Sequence, residues 1–403
     1  MTVSHEQSVL AMRVYLSFGE LDDLQAAWDD LFQSEGGLVY QSYDWCKLWW
    51  HYYGRGRELR ILTFWADSEL VGAIPFFVDK IGVWPTGLRV AKGIASEYST
   101  SRFSMAIRPA FQRAILKMFV TQLIEVDRCD LISIGPIAGA ESLRADLNEI
   151  ATYQPIDISI RTSDAVVVMI YDLSGGLDGL MSNISSGRRA NLRRSMRQIE
   201  NQQDVVVRRI IDPEELKAEF DGFCELHRLR WHEDGKRGHF EDWPDSKAFH
   251  SALLAAQGRH QRCRLYKISR KEEVVAYEYG YFYGDWYFWL LPARSISQEW
   301  ERLSIGQVSS LIQMRTESEN GATRADLGVG FYEYKKSMGA ITEDLHQISI
   351  GRPHWLSRLR VRLWSQISKL VHLCYYKIWF LRIVPRLKYF SSPLWSFWIR
   401  TRF

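Results

Sequence analysis

Residues 263–339 restrict the fold more than any other stretch of this chain. The first run, Arg264-Leu265-Tyr266-Lys267-Ile268, alternates in character as a strand does, and Arg270-Lys271-Glu272-Glu273 reads as a turn. A second run covers 274–282 and, past Gly284-Asp285, a third covers 286–291. Ser304-Ile305-Gly306-Gln307 then opens a helix expected to end at Asn320-Gly321, and Arg324-Ala325-Asp326-Leu327-Gly328 reads as a short strand. Tyr332-Glu333-Tyr334-Lys335-Lys336 closes the block. Such an order holds phosphate when the turn feeds a helix N-terminus, because unpaired N–H groups and the helix dipole both favour an anion there.

The same order occurs once before. Glu58-Leu59-Arg60-Ile61-Leu62 followed by Glu69-Leu70-Val71-Gly72-Ala73 parallels 262–266 followed by 273–277, at an offset of 204. Arg128-Cys129-Asp130-Leu131 parallels Arg324-Ala325-Asp326-Leu327 at an offset of 196. Repeats of about 200 residues are duplicated domains rather than solenoid units. The first half is expected to run strand 12–18, helices 21–32 and 42–53, a hairpin 59–78, a strand 82–92, a loop 93–104, a helix 111–126 and a strand 130–135. The second is expected to run strand 164–171, helix 185–201, strand 204–211, and a helix starting at Pro213 with Asp212 as N-cap. A polar loop, 232–245, and a helix, 246–256, lead into the opening block.

The chain of 403 residues is comfortable as two domains, and its 46% hydrophobic and 25% charged residues are those of an ordinary folded protein. Charge is uneven. Residues 351–403 hold eight Arg, three Lys and no acid, so this tail carries +11 and leaves −8 for residues 1–350 of a chain at +3. The tail interleaves its cations with Trp, Tyr, Leu and Ile, a composition suited to an anionic membrane surface or to docking on the acidic body or a partner. A nucleic-acid partner is not expected. The five scattered cysteines form no CxxC and imply a reducing compartment. The N-terminal residues do not read as a secretory signal, and no apolar run reaches the ~18 residues of a spanning helix. The expected location is cytoplasmic, peripheral at the inner face of the membrane if the tail binds lipid.

Several residues stand out chemically. Glu278 lies in an apolar, aromatic strand, where burial would raise its pKa and fit it to act as a general base; strand alternation could equally turn it to solvent or to an arginine. His227, Arg230 and Trp231, at i, i+3 and i+4, can share one helix face and contact a substrate, or they form an ordinary basic helix end. Ser304, Gly306 and Gln307 would aim backbone N–H groups at a phosphate, with Arg302 adding charge; otherwise Ser304 is a plain N-cap and Gly306 a packing position. Five arginines lie between residues 188 and 197, either an anion-attracting surface or a solvated face. The spacing of His227, His232, His239 and His250 fits no zinc pattern, and no GxGxxG is present, so neither a metal nor a dinucleotide is expected.

With these motifs the chain resembles the GNAT acyltransferase superfamily, in its CelD/BcsL (acetyltransferase-6) branch, and more distantly the Fem aminoacyltransferases. The likeness rests on Arg188-Arg189-Ala190-Asn191-Leu192-Arg193-Arg194, on Leu226-His227-Arg228-Leu229-Arg230-Trp231, and on Asp326-Leu327-Gly328-Val329-Gly330 with Tyr334-Lys335. It departs at Ser304-Ile305-Gly306, where that branch reads Ser-Pro-Gly. The resemblance implies an α/β (α+β) fold of tandem GNAT-like lobes, with mixed, mostly antiparallel sheets flanked by helices, at 1–160 and 161–350. A basic helical tail at 351–403 follows. It implies an acyltransferase moving an acyl group from acyl-CoA, or an acyl carrier protein, to an amine or hydroxyl on a small molecule, glycan or peptide, in polysaccharide or cell-envelope biosynthesis. Acyl-CoA is then a co-substrate, and no cofactor is held permanently. Glu278, Asp326 and Tyr334 are the implied catalytic residues, with Tyr334 protonating the leaving thiolate. Arg302, Ser304, Gly306 and Gln307 would hold the donor, and His227, Arg230, Trp231 and Lys335 the substrate. Two alternatives stay open: a Fem-like aminoacyl-tRNA-dependent transferase, and an inactive scaffold of a membrane-bound synthase.

Overall fold

The computed structural model describes residues 9–98, 102–387 and 394–403; residues 99–101 of the expected loop and 388–393 of the tail lie outside these. Two compact units result. One comprises Met1–Ser163 with Leu345–Phe403, the other Asp164–Asp344.

The first lobe opens with β1 (Leu10–Tyr15), α1 (Gln25–Ser34) and α2 (Tyr43–Tyr53). Strands β2 (Glu58–Ala66), β3 (Glu69–Ile81), β4 (Leu88–Gly93) and β5 (Ala106–Ile107) precede α3 (Gln112–Thr121), β6 (Leu131–Ile137) and α4 (Glu141–Tyr153). Ala66 faces Glu69 across the Asp67-Ser68 turn, where Asp67 takes φ 55°. Ile115, Leu116 and Phe119 of α3 pack on Phe64 and Phe76, making the core of this lobe.

The second lobe uses β7 (Asp157–Asp172), from Asp164 onward, then α5 (Gly176–Ser182), α6 (Ser186–Glu200) and β8 (Val205–Ile210). Next come α7 (Pro213–Glu233), α8 (His239–Asp242) and α9 (Ser246–Arg259), with α8 inside the expected polar loop. Asp212 caps α7 by accepting the N–H groups of Glu214 and Glu215 at 3.1 and 3.0 Å, so the Asp-Pro signal was read correctly. The opening block forms β9 (Cys263–Arg270), β10 (Glu273–Tyr283), β11 (Trp286–Arg294), α10 (Gln298–Arg302), α11 (Ile305–Glu319), β12 (Arg324–Val329) and α12 (Glu333–Lys336). Leu192, Met196 and Ile199 of α6 enter the core with Ile305, Val308 and Leu311 of α11. The arginines of α6 therefore occupy the faces that this apolar row leaves.

The chain then returns to the first lobe. Strand β13 (Ile341–Gly351) pairs antiparallel with β6 through His346 to Gly351, and α13 (Trp355–Val371) and α14 (Trp395–Arg400) follow. The first lobe thus reads β1-β2-β3-β4-β6-β13, and the second reads β8-β9-β10-β11-β12-β7. Neighbours are antiparallel except β4 with β6 and β11 with β12, which are parallel. Leu62 faces Ile74 in one hairpin as Tyr266 faces Glu278 in the other, which reproduces the offset of 204 in register. The offset of 196 does not carry over. The parallel triplets are Leu131–Ser133 and Arg324–Asp326, so the strands match at an offset of 193 and Ser133, not Asp130, stands where Asp326 does.

Residues 351–403 do not stand apart as a third unit. Trp364 packs on Ile81, Leu88 and Val90, and its indole N–H donates to Thr86 O at 2.8 Å. Ser357 donates to Asp130 at 2.5 Å, and Arg400 grips the buried Asp79. Trp395 and Trp398 are buried, with ring centres 4.9 Å apart. The other face of the tail stays outward, with Leu359, Leu363, Leu370, Leu373 and Leu381 exposed. Among the described residues, no helix is long and apolar enough to cross a membrane.

Candidate active site

Strands β11 and β12 pair for only three residues, Trp286–Phe288 against Arg324–Asp326. Past Phe288, β11 stays with β10 as far as Arg294; past Asp326, β12 stays with β7 as far as Val329. Their facing edges no longer bond each other, and a V-shaped opening results. Asp326, fully buried, sits at its apex and accepts the N–H of Gly328 at 2.7 Å. Gly328 has φ +85°, a conformation costly for any residue with a Cβ. Asp326 therefore shapes the turn-out of β12.

Glu278 points inward from β10 and is 1% exposed. One carboxylate oxygen accepts from Trp289 Nε1 at 2.7 Å, the other from Ser309 Oγ of α11 at 2.5 Å. Burial raises its pKa to about 8, against the lowering pull of those two bonds and of the Arg294 charge. Trp289 carries the second ionisable group. Lys335 Nζ lies 5.1 Å from the centre of that indole ring and donates to Leu327 O at 2.5 Å, a carbonyl on the parted edge of β12. Burial lowers the Lys335 pKa to about 8, with Asp326 opposing. The Tyr-Lys pair reverses the ordinary expectation of a packed Tyr and a solvated Lys: Lys335 is 7% exposed and Tyr334 is 44% exposed. Desolvation and the Glu278 charge push the Tyr334 phenol up to about 12.

At the other end of the opening, α11 begins after Ser304, which adopts the left-handed conformation at φ 54°. Its carbonyl accepts from Gln307 N and Val308 N, at 2.8 and 3.0 Å. A cavity of about 250 Å3 is lined here by Arg294, Glu301, Ser304 and Gln307. Arg294 lies against Gly306, where an added Cβ would stand 2.7 Å from its guanidinium nitrogen. It forms no ion pair among the described residues. Arg302, which the sequence suggests for the donor phosphates, is exposed and does not line this cavity; Arg294, at the end of β11, does.

His227 is buried, with Nδ1 2.8 Å from Pro292 O and Nε2 3.3 Å from His239 Nδ1. It ties α7 to β11. Burial holds its pKa below the ordinary imidazole value and that of His239 at about 3, so both rings are neutral near pH 7. Trp231 packs on both, 5.8 and 5.2 Å between ring centres. Arg230 is drawn off to Glu233 and Asp234 at 2.8 and 3.3 Å. The expected shared face therefore holds for His227 and Trp231 and not for Arg230. Among the described residues, no group of three or more His, Cys, Asp or Glu is placed to hold a metal.

Parted parallel strands, a helix start facing a cavity, and two buried ionisable groups on one indole thus occur together in the second lobe. Residues 186–336 match the family model Acetyltransf_6, described as an acetyltransferase (GNAT) domain. Those residues fall within the second lobe, which is therefore similar to a GNAT acetyltransferase domain. FemX aligns over 80% of this chain and 95% of its own, with 13% identity and a TM-score of 0.60, a likeness of fold. L-PGS from Bacillus licheniformis (13% identity, 86% of this chain, 96% of that one, TM-score 0.49) also aligns. So does a tandem GNAT protein from the clavulanic acid biosynthesis pathway (11%, 86% and 99%, TM-score 0.43). The search of curated protein sequences gave no match.

Proposed function

We propose that the second lobe transfers an acyl group from acyl-CoA, or from a carrier protein bearing the same pantetheine arm, directly to an amine or hydroxyl. The observation that carries this reading is the row Glu278–Trp289–Lys335 beside the parted strands, with two buried ionisable groups poised near pH 8. The donor's pantetheine arm completes the edge of β11, and its phosphates meet the α11 start and Arg294. Glu278 takes the proton of the attacking amine or hydroxyl; a base of pKa about 8 is matched to that task at neutral pH. As the nucleophile bonds to the thioester carbon, negative charge gathers on the carbonyl oxygen and faces the Lys335 ammonium. Collapse of the adduct breaks the C–S bond, and the Tyr334 phenol, protonated at pH 7, returns a proton to the thiolate. Asp326 and His227 position β12 and β11.

The test is calorimetric titration with acetyl-CoA, a long-chain acyl-CoA and free CoA, with the Gly306→Trp variant alongside. Binding that the variant abolishes supports the reading. No binding of any of the three sinks the CoA donor and favours aminoacyl-tRNA, whose binding would be strongly salt-dependent.

The outward face of the tail supports a membrane setting for the acceptor. Leu359, Leu363, Leu370 and Leu373 are exposed beside Arg362, Lys369 and Lys377, on a segment without a single carboxylate. The protein is expected to sediment with phosphatidylglycerol vesicles and not with phosphatidylcholine. Equal partition between the two would remove the electrostatic part of this reading.

A further inference from the structure

The first lobe repeats the construction that makes the opening in the second. Its parallel strands β4 and β6 pair for three residues, ending at Lys92 with Ser133. Strand β4 stops at Gly93 while β6 continues beside β13. In this lobe the tail roofs the opening and leaves a cavity of about 320 Å3. Strand residues Lys92 and Ser133 line one side; Lys369, His372 and Arg402 of the tail line the other.

We propose that this cavity is a second binding site, distinct from the acyl-transfer site, and that it takes the phosphoryl group of a phosphate ester. Lys369 and Arg402 line it and form no ion pair among the described residues, and Glu97 is the acidic side chain among its lining residues. Glu97 is already neutralised, by Arg57 at 2.8 Å and Lys92 at 2.7 Å. Neutral donors add to the cations. Ser133 Oγ accepts from Gln347 Nε2 at 2.8 Å, which leaves its own proton to donate. Trp398 Nε1 donates to His372 Nδ1 at 3.3 Å, so the neutral ring carries its proton on Nε2. A wall rich in donors, with its acidic side chain already paired, suits a group that is anionic and accepts many hydrogen bonds. Ile399, Phe403 and Pro136 beside these groups suit a phosphate carried on a glycerol or acyl portion rather than a bare ion.

The test uses the full chain and two probes, glycerol 1-phosphate and dihexanoyl phosphatidylglycerol below its micelle concentration, each titrated calorimetrically. Binding of at least one probe is expected, and it should weaken at least tenfold in the double variant Lys369→Ala/Arg402→Ala. Both side chains are exposed, so the fold should survive. Binding of the soluble ester alone makes the ligand a metabolite, and binding of the lipid alone makes it a membrane headgroup; both support the site. Ser133→Leu, which fills the cavity, should weaken the same probe. No binding of either probe, or binding unchanged in the double variant, overturns the proposal. Loss of probe binding in Gly306→Trp would also overturn it, by moving the phosphate to the second lobe. Acetyl-CoA binding by the double variant should equal wild type, so the two sites stand or fall separately.

Discussion

The two lobes share a strand order, a parallel triplet and a hairpin register, and differ in what meets at the opening. Where the second lobe places Glu278 opposite Tyr266, the first places Ile74 opposite Leu62. Ile74 is fully buried among hydrocarbon, while Glu278 has an indole and a hydroxyl to hold it. The first lobe spends its buried charges elsewhere, in Arg57, Asp79, Lys92, Glu97 and Arg400, which close the tail onto the strands. One scaffold therefore serves two purposes. A buried carboxylate with partners but no counter-ion keeps a mobile proton, and one fixed by arginine and lysine becomes a clasp.

The contrast breaks most directly at Glu278. Glu278→Gln keeps the shape and removes the base; turnover should fall about 10²–10⁴-fold with acetyl-CoA binding retained, as steady-state rates and calorimetry would show. Nearly unchanged turnover would make Glu278 a structural acid like its apolar counterpart. Next is the buried cluster at the far end of α11, where Glu317 accepts from Arg209 Nε at 3.0 Å and lies 3.6 Å from Arg264. Glu317→Leu strands those guanidiniums and should cost about 3–5 kcal/mol in denaturant unfolding. A loss under about 1 kcal/mol would show that the guanidiniums find water instead.

The pH dependence tests the pairing of Glu278 with Lys335. The first must be ionised and the second charged, and both titrate at about 8, so kcat/KM should form a narrow bell centred near pH 8. Its limbs should fall about tenfold per pH unit. Lys335→Met should lower the peak and remove the alkaline limb. Stability follows the opposite sign for the acid: between its ordinary value of 4.5 and about 8, folded Glu278 keeps a proton that the unfolded chain releases. Stability should therefore fall as pH rises through that window, and Glu278→Gln should flatten the fall. The smallest effect separates two arginines. Arg294→Ala should weaken acetyl-CoA binding about tenfold, and Arg302→Ala less than about threefold. The reverse ranking would return the phosphate to Arg302.

Much of this was legible in the residues. The hairpins announce themselves through two-residue turns, Asp67-Ser68 and Lys271-Glu272, each with a left-handed first residue. The repeat of 204 relates the two hairpins in sequence and in register alike, and Glu278 stands out as a carboxylate in an aromatic strand. What failed depends on contacts distant in sequence. Lys335 follows a tyrosine in a polar run and reads as solvated; the carbonyl of Leu327 and the rings of Tyr332 and Trp289, which hold it in the fold, are not visible in that run. Arg294 lies against Gly306, a contact that no local pattern reveals. The tail's amphipathic spacing gave no way to tell Trp364, which inserts against Gly82, from Leu363, which does not. Strand β13 opens Ile341-Thr342-Glu343-Asp344, largely polar and without the apolar alternation that marks a strand in sequence.

The placement of β13 also sets an order of events during synthesis. Strand β6 ends at Ile137, and the partner that covers its edge is not made until residues 346–351. Roughly two hundred residues intervene, about 10–40 s of translation at typical rates. The second lobe, continuous from Asp164 to Asp344, can close its own sheet during that interval. The lobe that begins the chain is therefore the last to be finished. Until then it shows the ribosome's surroundings an open strand edge, the feature that invites wrong pairing between nascent chains.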